Sequence, residues 1–294
     1  MPVFYRRLPR FRYLAPKTLD EAIRFLSDHG ADAMPMAGGT DLIPNLKRRE
    51  IPSPAYVLDL KRIPDLDEIS FDPRQGLSIG ALATIQSISQ SNPVRDFYPA
   101  LAQAAFSMAS PQVRNRGTFV GNICSAVPSA DSAPPLLALD AKVHARGPNG
   151  GRTIPLERFL IGSRKTALQA DEIVTFLSLP IPPKRNIYLK LSPRHSMDLA
   201  IVGVAAAANM DRERPHDIRI TLGAVAPTAM RAGRAEELLR DRPISSSIIE
   251  EAAYVASAEC QPVDDYRASA AYRRDMVYVL TKRALERILT SSGD

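Results

Sequence analysis

The chain has no tryptophan and only two cysteines in 294 residues. Cys124 and Cys260 lie far apart with no partner motif, which excludes a disulfide framework. It also excludes an iron–sulfur cluster held by this chain alone, since such clusters normally take four thiolate ligands. The four histidines, His29, His144, His195 and His216, are scattered singly, and without metal-ligand spacing no metal site is expected. Long hydrophobic runs are missing too. The longest, Leu199 to Ala208, falls short of the roughly 18–20 residues of a membrane span. The N-terminal stretch MPVFYRRLPRFRYLAPKT has no apolar core ahead of a cleavage site, and Pro2, Pro9 and Pro16 oppose the amphipathic helix of a mitochondrial presequence. These absences predict a cytoplasmic protein with no membrane span.

What is present is ordinary globular material, 45% apolar and 24% charged. The length suggests two domains, and 25 prolines predict many short turns. The net charge of +6 is largely local: Arg6, Arg7, Arg10, Arg12 and Lys17 fall within the first 17 residues, which carry no acid, and the rest is close to neutral. A solvated arm or a contact with an acidic partner fits this better than a nucleic-acid groove, and no nucleic acid is expected.

Thr18 and Glu21 form a capping-box pattern ahead of Leu19, Ala22, Ile23 and Leu26, and Gly30 stands where that helix would end. A strand over Ala33 to Ala37 runs into Gly38-Gly39-Thr40-Asp41, followed by Leu42 to Leu46 and a strand at Tyr56 to Leu60. Further on, the pattern predicts a strand at Leu77 to Ala81, a helix at Thr84 to Ser91 and one long helix from Pro93 to Ala109. A polar, turn-rich stretch from Ser110 to Val143 reads as a long structured loop, a feature that usually carries function. A hairpin around residues 147–151 and a strand at Ile173 to Leu179 come next. Residues 180–186 read as a linker. Beyond it, strands at Ile187 to Leu191, Ala200 to Met210 and Asp217 to Ala224 precede helices near Ala232 to Arg240, Ser247 to Ala258 and Ala268 to Leu289, the order of a separate α+β unit.

Two glycine turns are the candidate ligand sites, Gly38-Gly39-Thr40 and Gly117-Thr118-Phe119-Val120-Gly121-Asn122. A dinucleotide diphosphate requires close backbone approach and inward amide N–H groups, which such turns supply. Charge-assisted hydrogen bonds are worth roughly 1.5–3 kcal/mol each, so two turns together can hold a dinucleotide without a covalent link. Neither G-x-G-x-x-G nor the Walker pattern occurs. Taken alone, Gly-Gly-Thr is more often a plain turn.

The pair gains meaning from its neighbours. The segment Ala37-Gly38-Gly39-Thr40-Asp41-Leu42-Ile43-Pro44-Asn45-Leu46-Lys47 resembles the first FAD signature of the medium subunits of molybdenum hydroxylases, the family of xanthine dehydrogenase, carbon monoxide dehydrogenase and 4-hydroxybenzoyl-CoA reductase. Gln112-Val113-Arg114-Asn115 with Gly117 to Ile123 resembles the second signature, and Asp131 with Pro134 to Asp140 continues it. Tyr188-Leu189-Lys190, Arg194 and Asp198 to Ala206 are similar to the start of the family's third domain, and Asp265 to Leu285 to its last helix. The resemblance runs in register over nearly the whole chain.

It implies an α+β fold: a two-part FAD-binding domain of the vanillyl-alcohol oxidase type over residues 1–183 (parts 1–60 and 61–183), then a three-stranded antiparallel sheet with a helix bundle over 184–294. It implies an oxidoreductase subunit that binds FAD non-covalently and transfers electrons. The molybdenum cofactor and 2Fe-2S clusters would sit in a large and a small partner subunit, in a doubled heterotrimer. No catalytic residue is expected on this chain. The resemblance places Met34, Pro35, Met36, Ala37, Gly38, Gly39, Thr40, Asp41 and Leu42 around the diphosphate. Thr118, Phe119, Val120, Gly121 and Asn122 would close on it, with Asp131 accepting a hydrogen bond from the FAD and Met108, Val174 and Lys190 near the flavin.

Blander roles stay open for several of these: a helix N-cap for Asp131, a surface position for Lys190, core packing for Met108, and a turn role for Arg114 and Asn115. The chain departs from the family at Val120, where a glycine normally stands. A β-branched residue would be strained there if the position required positive φ. The reductase branch carries a cysteine-rich insertion after the second signature; here Cys124 stands alone, so no further cluster is expected. Two other readings stay open: a self-contained FAD oxidoreductase of the same superfold, and an assembly subunit that has lost FAD.

Overall fold

The computed structural model describes residues 7–194, 197–212 and 214–290. The first unit is small. Strand β1 (Arg12–Leu14), helix α1 (Leu19–His29), β2 (Ala33–Met36), α2 (Leu42–Arg48) and β3 (Tyr56–Asp59) form a three-stranded parallel sheet in the order β1-β3-β2. The Thr18 hydroxyl accepts from the Glu21 N–H at 3.2 Å and caps α1, while the Glu21 carboxylate accepts from the N–H of Lys17. Gly30 ends the helix at φ 51°. Pro35 is tolerated because β2 lies at an edge of its sheet, where a missing N–H costs no ladder bond.

A second, antiparallel sheet follows. Its strands β4 (Ile69–Asp72) and β5 (Gly76–Gly80) precede six helices: α3 (Ile85–Gln90), α4 (Asn92–Phe97), α5 (Pro99–Ser107), α6 (Pro111–Arg114), α7 (Phe119–Ser125) and α8 (Ala133–Ala138). Then come β6 (Lys142–Gly147), β7 (Gly150–Pro155), α9 (Leu156–Phe159), a small hairpin of β8 (Leu160–Gly162) and β9 (Lys165–Thr166), and β10 (Ile173–Leu179). The sheet order is β4-β5-β10-β6-β7.

Two expectations need correction here. The helix expected from Pro93 to Ala109 is two helices, broken at Tyr98 (φ −122°, ψ 52°), because Pro99 disfavours helical backbone at the residue before it. The expected loop from Ser110 to Val143 is three short helices ending at the start of β6. Each is only four to seven residues long, too short to show a full amphipathic period.

The last unit comprises β11 (Arg185–Leu191), β12 (Val202–Asp211), β13 (Arg214–Gly223), β14 (Met230–Arg231), α10 (Gly233–Leu239), α11 (Ser246–Glu259) and α12 (Ala270–Leu289). Three long antiparallel strands make the sheet, and the two-residue β14 adds an edge. Both faces are covered. Along β12, Ala205 and Ala207 pack into the core of the five-stranded unit, while Val204, Ala206 and Ala208 pack against the C-terminal helices. The small side chains allow close approach on both sides.

Polar ties cross the same seam. The segment 180–186 is less free than a linker: Asn186 is buried, accepts from the Ala100 N–H at 3.0 Å and donates to the Phe97 carbonyl at 3.2 Å. Arg219 reaches Asp140 at 2.8 Å, and the Thr221 hydroxyl donates to the Pro134 carbonyl at 2.7 Å. Within the last unit, the buried Arg273 guanidinium donates to the carbonyls of Ile201 and Ala224 and to Asp265.

Candidate functional site

The first glycine turn leaves β2 and enters α2. Gly39 takes φ +75°, a conformation that L side chains rarely adopt. Gly38 is needed for a different reason: a Cβ there would land on the carbonyl oxygen of Arg116, in the second turn. Among the described residues, the amide N–H groups of Gly38, Gly39, Thr40, Asp41 and Leu42 donate to no protein acceptor. Consecutive amides without protein acceptors at the start of a helix are donors that an anion can use. Lys61 adds positive charge beside them. Its ammonium donates to the Ala37 carbonyl at 3.2 Å and pairs with Asp59, which also accepts from the Tyr13 hydroxyl.

The second turn packs directly against the first. A Cβ on Gly117 would come within 3.2 Å of the Thr40 hydroxyl and 3.0 Å of Ile85. Thr118 is buried and caps α7, its hydroxyl accepting from the Gly121 N–H at 2.9 Å. Its own hydrogen stays free to donate. Phe119 and Val120 are buried in the core, and Val120 lies inside α7 rather than at positive φ, so the strain expected there does not arise. The Ser125 hydroxyl donates to the Asp41 carboxylate at 2.7 Å and ties α7 to the first turn. Asn122 accepts from the Ser132 hydroxyl at 2.6 Å, linking α7 to the residue after Asp131.

Asp131 is buried to 6% exposure, and its carboxylate takes no N-cap role. One oxygen accepts from the Tyr188 hydroxyl at 2.7 Å and the other from the Lys190 ammonium at 2.8 Å. The Lys190 side chain is only 7% exposed, which removes the surface reading. It also donates to the carbonyls of Ser107 (3.2 Å) and Asp198 (2.9 Å), so all three of its hydrogens have protein acceptors. Burial pushes the Asp131 carboxyl above the usual range, with Lys190 and Tyr188 opposing. Met108 and Val174 are buried in one apolar cluster.

Arg114 spans the carbonyls of Phe106 and Met108, and Asn115 donates to the Pro111 carbonyl, so both hold the turn together. The two turns, Asn122, Asp131, Lys190 and the end of α5 are thus joined in one chain of contacts, whereas the side chains of Met108 and Val174 lie in the neighbouring apolar cluster. The sequence reading did not single out Lys61, Ser125 or Gly203, and it named Tyr188 only within a motif. Ser125 and Asp41 are 84 residues apart, and nothing local marks their contact. No helix among the described residues is long and apolar enough to cross a membrane.

A parallel-sheet unit whose glycine turn meets a second glycine segment from an antiparallel unit, followed by a third α+β unit, makes up the fold that carries these residues. Residues 9–182 match the family described as FAD binding domain in molybdopterin dehydrogenase, and residues 187–288 match the CO dehydrogenase flavoprotein C-terminal domain. The chain belongs to this family. It is 36% identical over 279 residues to the carbon monoxide dehydrogenase medium chain of Hydrogenophaga pseudoflava, covering 94% of this chain and 96% of that one. It is 31% identical over 284 residues to the xanthine dehydrogenase FAD-binding subunit of Escherichia coli O157:H7, covering 96% and 97%. Among solved structures, carbon monoxide dehydrogenase from Hydrogenophaga pseudoflava superposes with a TM-score of 0.93 at 35% identity, over 98% of this chain and 100% of that one. Quinoline 2-oxidoreductase from Pseudomonas putida 86 gives 0.91 at 31% identity, over 97% and 98%.

Proposed function

We propose that this chain is the FAD-binding electron-transfer subunit of a hydroxylase or dehydrogenase that carries a molybdenum cofactor and 2Fe-2S clusters in a large and a small partner subunit. The observation that carries this reading is the run of five amides from Gly38 to Leu42 with no acceptor among the described residues, beside the close approach of Gly38 to Arg116. These groups suit a diphosphate, and Lys61 supplies a nearby positive charge. In this reading residues 34–42 wrap the diphosphate and residues 118–122 close on it, with the Thr118 hydroxyl as a donor. Asp131 accepts from the nucleotide. Met108, Val174 and Lys190 sit toward the flavin ring.

Bound non-covalently, FAD supplies a two-electron carrier between the iron–sulfur subunit and an external acceptor. The protein's own part is to bind and orient the cofactor and to fix the charge around it. The division of labour falls near residue 183, with 1–183 binding the nucleotide and 184–294 covering its far side. The assembly is a doubled heterotrimer in the cytoplasm.

A visible spectrum of the purified chain before and after acid precipitation tests this reading. Flavin bands near roughly 375 and 450 nm that move to the supernatant are the expected result. A colourless chain that takes up no added FAD overturns it. Failure of a molybdenum subunit and an iron–sulfur subunit to co-purify from the native host would overturn the proposed partners.

A further inference from the structure

Of the buried groups Asp131, Tyr188 and Lys190, the lysine has no hydrogen left for a ligand, whereas Asp131 keeps accepting capacity on both carboxylate oxygens. The three ammonium hydrogens of Lys190 are taken by Ser107, Asp131 and Asp198. The single hydroxyl hydrogen of Tyr188 is given to Asp131. Each Asp131 oxygen has one protein donor, and a carboxylate oxygen has lone pairs for another. Tyr188 is itself fixed at both ends. Its N–H donates to the Gln103 side chain at 2.7 Å, and its ring packs over Gly203 so closely that a Cβ there would stand 2.7 Å from the hydroxyl oxygen.

We propose that Tyr188 is a positioning residue: with Lys190 it holds the Asp131 carboxylate ionised and aimed, so that Asp131, and not Lys190, makes the hydrogen bond to the flavin nucleotide. This rests on the reading of the chain as an FAD-binding subunit. The charged and titratable groups facing Asp131 are Tyr188 and Lys190 on β11. From the end of α5 the network receives the Ser107 carbonyl, and from the segment before β12 the Asp198 carbonyl. The Asp198 carboxylate is turned to Arg194. Removing the Tyr188 hydroxyl leaves a buried carboxylate with one donor fewer, which favours its protonated form.

The test is titration of the FAD-stripped full chain with FAD, followed by flavin fluorescence at several pH values, for the wild type, Tyr188→Phe, Gly203→Ala and the double variant. Thermal melting of each FAD-free chain runs alongside. The expected result is about tenfold weaker FAD binding in Tyr188→Phe, the loss typical of a hydrogen bond to a charged group. The acid limb of the affinity profile should move to higher pH. Gly203→Ala, whose methyl group would crowd the same hydroxyl, should act in the same direction, and the double variant should be little worse than the poorer single. An affinity and pH profile in Tyr188→Phe equal to wild type overturns the proposal, as does a loss that follows melting temperature without any change in the pH profile. A wild-type chain that binds no FAD instead overturns the underlying reading.

Discussion

In the first glycine turn, five amides have no acceptor among the described residues and α2 begins without a side-chain cap. In the second, Thr118 caps α7, the backbone is helical, and Phe119 and Val120 are buried. Both turns contain glycines, yet these serve different ends. Gly39 is there for a positive φ, Gly38 because the backbone of the other turn occupies the space a side chain would need, and Gly117 because Ile85 and Thr40 crowd its position. In the proposed reading the first turn offers backbone amides to the diphosphate, while the second chiefly supports the first and adds the Thr118 hydroxyl. A glycine-rich signature can mark packing as readily as binding. The difference explains why a glycine can be exchanged for Val120 within α7 but has no such latitude at position 38.

Four substitutions break or sharpen this contrast. Gly38→Ala should have the largest effect. The new methyl group meets backbone, which cannot rotate away, so the turns must part. Loss of FAD binding and a destabilisation of about 3 kcal/mol are expected, read by flavin content and denaturant unfolding. Val120→Gly should cost about 2–3 kcal/mol through lost burial and helix propensity while leaving FAD affinity nearly unchanged. A gain in affinity would show that valine obstructs the site and that the second turn does more than support the first. Thr118→Ala should lose about 1 kcal/mol of stability with its N-cap, and it should weaken FAD binding only modestly through the lost hydroxyl donor. An affinity loss far above the stability loss would move Thr118 to the ligand-binding side of the comparison. Ser125→Ala removes the tie to Asp41 and should cost about 0.5–1 kcal/mol, seen as a small shift in melting temperature.

Much of this was legible in the sequence. The Thr18 cap, the first glycine turn and the strand at Ile173–Leu179 follow from local chemistry, whereas the second glycine segment is mostly helix α7. Pro99 carries the signal for the helix break at Tyr98, but the apolar spacing runs on across it and masks the break. The short helices α6 to α8 were opaque because four to seven residues cannot display a helical period, and prolines at their starts read as loop. The strands β1 and β4 were missed because three or four half-exposed residues show little alternation. The polar network around Asp131 had no local signature. Its members lie 57 and 59 residues from it in sequence, and only folding brings them together. Even the family resemblance, which placed Asp131 and Lys190 at the site, gave no indication that the lysine is saturated by protein acceptors.

The double-faced β12 has a consequence for how the chain matures. Its Ala205 and Ala207 complete a core that otherwise belongs to residues 77–188. During synthesis at about 5–20 residues per second, the N-terminal part emerges well before that cover exists. For several seconds the apolar surface that will receive β12 waits in water, the interval in which association with another nascent chain competes with correct closure. Slower translation through the residues after 183 lengthens that window, and early arrival of anything that shields the surface shortens it.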